Sequence, residues 1–306
     1  MNPISLSRRG FALVTGSLAA GPLALYGAVR PAARDIVNQI RQSLGGGWPE
    51  TGLDGFKAGN PDTEVRGIAT TAMATMDVLR RAAKAGLNLI ITHEPTFFGI
   101  RDGAPPPPAA GGRGGRGPAG VAADDPVYQA KKEFIEKNNL VVFRLRDHWQ
   151  ARKENDLATG LAESLGWAGR RVPAEVMMYD IPPATLEDTV ALMRKKLNLR
   201  GGLRAVGDPK AKVRRVMLHP GLMTVATMWK YFDKTDLLVA GEVREWECTF
   251  YAADMNTAGE KRALVTLGRV ASEDPGMRAC AVWLKTIVKD TPVQWIGAGD
   301  PYWRAV

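Results

Sequence analysis

Each of the three histidines in this chain follows a short apolar run of the kind that forms a buried strand. Imidazole nitrogens beside carboxylates are suitable ligands for zinc, manganese or iron. Two such ions about 3.5–4 Å apart could activate water for hydrolysis. A single histidine after a strand can also be a hydrogen-bonded loop residue, so both interpretations stay open. The apolar runs and their histidines are 88–92 with His93, 140–145 with His148, and 213–218 with His219.

Carboxylates follow the same kind of run at several places. Glu94 stands next to His93 on a turn that Pro95 stiffens, so two metal-ligand types occur side by side. Glu242 and Glu245 follow another apolar run. For these two, the alternative interpretation is the favourable effect of negative charge at the start of a helix.

The elements that must position these residues alternate along the chain between β-rich runs and amphipathic helices. This alternation predicts an α/β fold with mostly buried strands. In such sheets, ligands bind beyond the carboxyl ends of the strands, where the histidines are predicted to lie. The predicted strands are 65–70, 88–92, 140–145, 175–179, 213–218, 236–240, 263–267 and 293–296. The predicted helices are 33–44, 76–85, 127–138, 156–165, 186–197, 225–232, 245–255 and 275–287.

Composition is that of a globular protein, with 306 residues, 45% of them hydrophobic, and a formal charge of +9. Lys and Arg are spread along the chain, which predicts a solvated basic surface and gives no reason to expect nucleic-acid binding. The two cysteines, Cys248 and Cys280, form no CxxC pair, which excludes a zinc ribbon. They could pair with each other or be buried as small apolar residues.

The N-terminal segment 1–28 resembles a twin-arginine export signal. Arg8 and Arg9 precede a mildly apolar, Gly- and Ala-rich run that ends near Ala28. An ordinary N-terminal helix or a membrane anchor would be the alternative. We therefore expect an exported protein, periplasmic or otherwise extracytoplasmic, with one domain over 29–306 and no membrane span beyond the signal.

The segment from Gly103 to Gly120 has low complexity. It contains four consecutive prolines, Pro105–Pro108, and a Gly-Gly-Arg-Gly-Gly-Arg-Gly run at 111–117. Such a composition cannot bury enough apolar surface to fold by itself, so it predicts a disordered surface insertion. Short Arg-Gly tracts can bind RNA, but one tract is weak support for that function.

The order and spacing of several sequence blocks resemble the NIF-three family, over roughly residues 35–300. Proteins of this family are also called dinuclear metal centre hexameric proteins or GTP cyclohydrolase I type 2 homologues. Thr92-His93-Glu94-Pro95-Thr96-Phe97-Phe98 is similar to the family's His-His-Pro-x-Phe-Phe signature. The other similar blocks are 56–59, 67–71, 78–83, 240–242 and 268–273.

The resemblance implies a fold of two intertwined α/β halves, each with a mixed sheet flanked by helices, and a homo-oligomer, typically a hexameric ring. It implies a divalent metal cofactor (zinc, manganese or iron) at one or two ions per chain, and a metal-dependent hydrolase of unknown small-molecule substrate. The family's ligands come from the His-His pair, a carboxylate in the middle of the chain and a late His-x-x-x-Glu. Carried onto this chain, they are His93, Glu94, Asp147 and Glu273, although simple spacing points to Gln150 instead of Asp147 for the middle position.

This chain departs from the family pattern at four positions that carry histidine. Glu94 replaces the second histidine of the pair, and Gln150 and two arginines occupy other positions where the family or a close subgroup has histidine. The arginines are Arg146 and Arg269. Arginine stays protonated and cannot ligate a metal, so both oppose a two-metal centre and could instead hold an anion.

Two expectations follow. One metal ion could remain on the carboxylates and His93, with His148 as a proton shuttle and an arginine steadying an anionic substrate. Alternatively, Arg146 and Arg269 could replace the metal with salt bridges to Glu94 and Glu273, which would leave a non-catalytic scaffold or an anion-binding protein.

Overall fold

A computed structural model describes residues 30–46, 48, 52–100, 102 and 124–303. The predicted export signal and the predicted insertion lie outside these residues. Over the described ranges, no helix has the length and apolarity that crossing a bilayer requires.

The first of two five-stranded mixed sheets has the strand order β1-β4-β3-β2-β10. Strands β2, β3, β4 and β10 are parallel, and β1 runs antiparallel to β4 at one edge. The central strands are buried on both faces, as expected for parallel strands covered by helices. The bounds are β1 Gly55–Ala58, β2 Ile68–Thr71, β3 Leu89–Thr92, β4 Val141–Arg144 and β10 Val293–Trp295.

The second sheet has the order β5-β7-β8-β9-β6, in which β7, β8 and β9 are parallel and the two outer strands antiparallel. Together the sheets confirm the predicted α/β fold of two halves. The bounds are β5 Met178–Thr185, β6 Arg204–Val206, β7 Lys212–Met223, β8 Leu237–Val243 and β9 Ala263–Thr266.

Nine α-helices flank the two sheets in the described part of the chain. They are α1 Ala33–Ser43, α2 Met76–Lys84, α3 Pro126–Lys137, α4 Asp147–Gln150, α5 Asp156–Leu165, α6 Leu186–Lys196, α7 Val225–Phe232, α8 Phe250–Thr257 and α9 Arg269–Ile287. A π-helical turn, Glu245–Thr249, precedes α8, and a 3-10 turn follows α5 at Ala168–Arg170.

Helix α9 connects the two halves. It begins directly after β9 of the second sheet, and its later residues, such as Met277 and Leu284, pack in the core of the first sheet. Thr70 of β2 donates to the backbone oxygen of Met277 at 2.7 Å. The carboxyl ends of both sets of parallel strands therefore meet around the first turns of α9.

Two predicted boundaries were wrong at places that bear on function. Strand β7 runs on to Met223, so His219 lies inside a strand instead of after one. Helix α9 begins at Arg269 instead of Pro275, so the predicted strand-end loop that includes Glu273 is the start of a helix. Strands β1 and β6 and the short helix α4 were not predicted.

Candidate metal centre

His93 and Glu94 continue from β3 along the end of the neighbouring strand β2. The backbone N–H of His93 donates to Thr71 at 3.2 Å, and that of Glu94 donates to Ala72 at 2.8 Å. Arg144, at the end of β4, is buried beneath this turn and donates from Nε to the backbone oxygen of His93 at 3.1 Å. The two side chains are therefore held by backbone contacts at the carboxyl edge of the first sheet.

Glu273 reaches the same place from helix α9, with its side chain buried. The Glu273 side chain occupies space left by a bulge in β7, at which Gly221 has φ +80°. A Cβ on Gly221 would lie 2.7 Å from Glu273 Oε1, which is closer than two such atoms can approach. The backbone N–H of Gly221 donates to Ser272 Oγ at 2.9 Å, which fixes the bulge against the helix.

The three side chains meet as one buried group. His93 Nδ1 lies 3.1 Å from Glu273 Oε2 and 3.5 Å from Glu94 Oε1. One potential ligand atom from each of His93, Glu94 and Glu273 falls within 4.8 Å of the other two. His93 Nε2 is also buried, and it has no hydrogen-bond partner among the described residues. A histidine and two carboxylates at these distances could hold a divalent ion.

The carboxyl groups of Glu94 and Glu273 both contact His93, but their pKa values are shifted in opposite directions. Burial opposes the charge of Glu94, but the hydrogen bond from His93 and the charge of Arg269 outweigh it and lower the pKa of Glu94 to about 2. Burial raises the pKa of Glu273, in spite of the opposing charge of His93. Burial also opposes the charge of His93, yet the nearby Glu273 and Glu94 raise its pKa. The group therefore combines a Glu94 carboxyl of lowered pKa with His93 and Glu273, whose pKa values are both raised.

Two arginines border the group. Arg269 Nη2 lies 3.1 Å from Glu94 Oε1, its Nη1 lies 2.8 Å from Glu242 Oε1, and its Nε lies 3.7 Å from Glu273 Oε1. Arg146 Nε lies 3.7 Å from Glu94 Oε1. Glu94 is therefore shared by one imidazole and two guanidinium groups.

Asp147 and His148 occupy a separate arrangement next to Arg146. Asp147 accepts from the backbone of Leu53 at 3.2 Å and lies 3.5 Å from Arg146 Nη1, outside the group of three ligands. His148 Nδ1 lies 2.7 Å from the buried carboxylate of Asp54, and Trp48 stacks on its ring at 3.9 Å between centroids. Asp54 also accepts from the backbone N–H groups that begin α4. Asp54 has no recognisable pattern in the sequence, because its partners are far away in the chain.

His219 and Glu245 take no part in the group. His219 is mostly buried, with Nδ1 unpartnered among the described residues, and burial lowers its pKa. Glu245 lies 3.3 Å from Arg204 at the surface. Cys248 and Cys280 are free and buried in different core clusters, so they do not pair.

Comparison with known proteins shows which family this chain is similar to. The model of the family Duf34/NIF3 (NGG1p interacting factor 3) matches residues 37–103, which extend from α1 through the turn that bears His93 and Glu94. The resemblance is confirmed: the chain is NIF3-like. A comparison with curated proteins gives no match.

Solved structures share the fold over nearly the whole NIF3-like chain. The hypothetical protein SA1388 of Staphylococcus aureus has a TM-score of 0.64 at 16% identity, covering 89% of this chain and 99% of that one. A Bacillus cereus protein related to NIF3 has a TM-score of 0.63 at 15% identity, covering 89% and 98%. Reduced HcgD from Methanocaldococcus jannaschii has a TM-score of 0.55 at 15% identity, covering 87% and 97%. At these sequence identities the similarity shows a shared fold alone.

The residues present in this NIF3-like chain fit one metal ion better than two. His93, Glu94 and Glu273 supply three ligands of suitable type. Arg146 and Arg269 border this group, and their positive charges would oppose the binding of a second ion. The family's two-metal arrangement is therefore not supported by the side chains around this group.

Proposed function

We propose that this NIF3-like protein binds one divalent ion of zinc, manganese or iron and hydrolyses an anionic small molecule. The observation that carries the proposal is the buried group of His93, Glu94 and Glu273, whose ligand atoms lie within 4.8 Å of one another. A bound ion would supply Lewis acidity, which is the usual contribution of such an ion to hydrolysis.

The surrounding side chains have distinct roles in this proposal. Arg269 neutralises Glu94 and Glu242 and keeps Glu94 ionised, as a ligand must be. Arg146 lies within reach of an anion bound beside Glu94. Asp54 accepts from Nδ1 of His148, which leaves Nε2 as the nitrogen that can take or give a proton.

Elemental analysis of the purified protein after supplementation with zinc, manganese and iron tests the proposal. We expect about one ion per chain, as three protein ligands and an open position allow. Glu273→Gln should lose the ion, whereas Glu242→Gln should keep it, because Glu242 contacts Arg269 but lies outside the group. Metal loading would then justify a screen against phosphate and carboxylate esters. Equal metal content in the two variants would contradict the assigned site.

A second candidate function is a non-catalytic scaffold or an anion-binding protein. Arg269 already contacts three carboxylates, of Glu94, Glu242 and Glu273, and these ion pairs could replace a metal ion. In that case the supplemented protein carries no metal above background, and Arg269→Gln destabilises the fold because it leaves buried carboxylates unpaired.

We also propose that the protein is exported, on the basis of Arg8 and Arg9 ahead of an apolar run. A fusion of residues 1–35 to a reporter that functions only outside the cytoplasm tests this. Replacing both arginines with lysine should abolish export if the twin-arginine route is used.

A homo-oligomer, and specifically a hexamer, is proposed from the family resemblance alone. Light scattering coupled to size-exclusion chromatography measures the mass in solution. A particle of 33.1 kDa, the mass of one chain, would contradict the proposal.

A further inference from the structure

A second cleft lies away from the candidate metal centre, between the end of the first sheet and helices α5, α6 and α9. Its volume is about 1190 Å³. None of His93, Glu94 and Glu273 lines it. Four cations do so: Arg81 on α2, Lys196 and Arg200 at and after the end of α6, and Arg278 on α9. Positive charge therefore comes to this cleft from three different helices and the segment that follows one of them.

The acidic residues that line the cleft are already engaged. Asp274 accepts from the backbone N–H groups of Ala72 at 3.1 Å and Ala298 at 2.8 Å. Asp300 accepts from the backbone N–H of Gly201 at 2.9 Å. The third, Asp77, pairs with one of the four cations, Arg81, at 2.7 Å. The lining thus holds four cations and three carboxylates, and of the three carboxylates only Asp77 pairs directly with a cation.

Lys196, Arg200 and Arg278 have no carboxylate within 4.0 Å among the described residues. The guanidinium of Arg278 lies over the ring of Trp295 at 4.1 Å from its centroid, which holds it at the cleft wall. Unpaired cations are common on exposed surfaces, but here three of them line one concavity.

The local sequence strengthens the positive field. From residue 189 to residue 207 the chain contains five cations and no acidic residue. Arg194 and Lys195 belong to this run but do not line the cleft. Such a field in a concave site concentrates anions and speeds their association.

We propose that this cleft binds a small molecule that carries a phosphate or diphosphate group. Lys196, Arg200 and Arg278 contact the phosphate oxygens, since arginine and lysine are the preferred partners of phosphate in proteins. The cleft is large enough for a ligand the size of a mononucleotide. The ring of Trp295 and the adjacent Ile296 provide an apolar wall for the rest of the molecule.

A small molecule fits this arrangement better than a nucleic acid. The cations surround one cleft instead of forming a stripe along an open face, which a polymer backbone would require. Trp295 has Arg278 over one face, which leaves at most one face for a stacked base.

The test is calorimetric titration of the full-length protein, without added metal, using adenosine 5′-diphosphate, pyrophosphate and uncharged adenosine. The double variant Lys196→Glu/Arg200→Glu is compared with Arg194→Glu/Lys195→Glu. Both pairs change the net charge equally and lie at exposed positions of the same segment, but only the first lines the cleft. Arg278→Gln is a second variant that removes a single charge from another helix.

We expect both phosphate compounds to bind the wild type and adenosine to bind much more weakly. The cleft pair should lose at least about tenfold in affinity and the control pair less than about threefold at 0.15 M salt, where the screening length is ~8 Å. Arg278→Gln should fall between them. Equal losses in the two pairs, or no binding of either phosphate compound, would overturn the proposal. Binding of a single-stranded oligonucleotide alone, with the same dependence on the cleft pair, would overturn it in favour of nucleic acid.

Discussion

His93 follows a parallel strand and His219 lies within one, at the same kind of sheet edge, yet their surroundings differ. Each has one buried ring nitrogen without a partner among the described residues. His93 has two carboxylates within 3.5 Å, and they raise its pKa. No carboxylate lies within 4.0 Å of His219 in the described part of the chain, and burial lowers its pKa.

The difference shows that a histidine at a sheet edge is insufficient for a metal site. His93 becomes part of a group because Glu273 arrives from the start of α9, the helix that connects the two halves. Strand β7, which bears His219, contributes space instead of a ligand, since Gly221 leaves room for the carboxylate of Glu273. The first sheet thus supplies two ligands, helix α9 supplies the third, and the second sheet leaves the space for it.

The largest expected effect separates the two histidines directly. His93→Gln should lower affinity for zinc by more than about a hundredfold, because a ligand is lost outright. His219→Gln should change the affinity for zinc by less than about threefold, because no other potential metal ligand among the described residues lies beside His219. Competition titration with a zinc-sensitive dye measures both, and circular dichroism shows whether each variant folds. Similar losses in both variants would mean that His219 is also a ligand.

The glycine in the bulge gives the next prediction. Gly221→Ala places a Cβ at 2.7 Å from Glu273 Oε1 and should displace that carboxylate. Gly166→Ala is the matched control, because Gly166 has φ +81° but open space around its Cβ position. Both should lose about 1 kcal/mol of stability from the positive φ. Only Gly221→Ala should also lose metal affinity; retained affinity would show that Glu273 can move without cost to the site.

The local part of the site could be predicted from sequence, and the part made by distant contacts could not. His93 and Glu94 are adjacent after a strand whose apolar pattern is clear, and their side chains lie in one buried group with Glu273. The predicted start of α9 at Pro275 follows the preference of proline for a first helical turn. The helix instead begins six residues earlier, because its buried polar residues find partners elsewhere. Asp274, for example, accepts from Ala72 and Ala298.

The fold shows the same division. The buried strands β3 and β4 were predicted because a short, continuous apolar run between turn residues is typical of a strand buried on both faces. Strand β6, Arg204–Val206, is short and largely exposed at a sheet edge, so its sequence carries no such pattern. Strand β7 continues past Pro220 and Gly221 by way of a bulge, although both residues usually end a strand.

The smallest expected effect concerns the two carboxylates of the group in the metal-free protein. The pKa of Glu94 is lowered to about 2, so its ionised form stabilises the fold above its unfolded pKa of ~4.3. That stability is lost as pH falls from there towards 2. The pKa of Glu273 is raised, so its contribution to stability depends on pH in the opposite direction. The folded state holds this proton more tightly, and stability falls as pH rises above ~4.3.

Urea unfolding of Glu94→Gln and Glu273→Gln between pH 2.5 and 6.5, with a chelator present, measures the two effects. Glu94→Gln should reduce the loss of stability at acid pH, by at most about 3 kcal/mol. The measured reduction should be smaller, because the groups titrate together. Glu273→Gln should instead remove a decline on the neutral side. If both variants change the profile in the same direction, the two carboxylates share one environment, and the asymmetry between the strand and helix ligands does not hold.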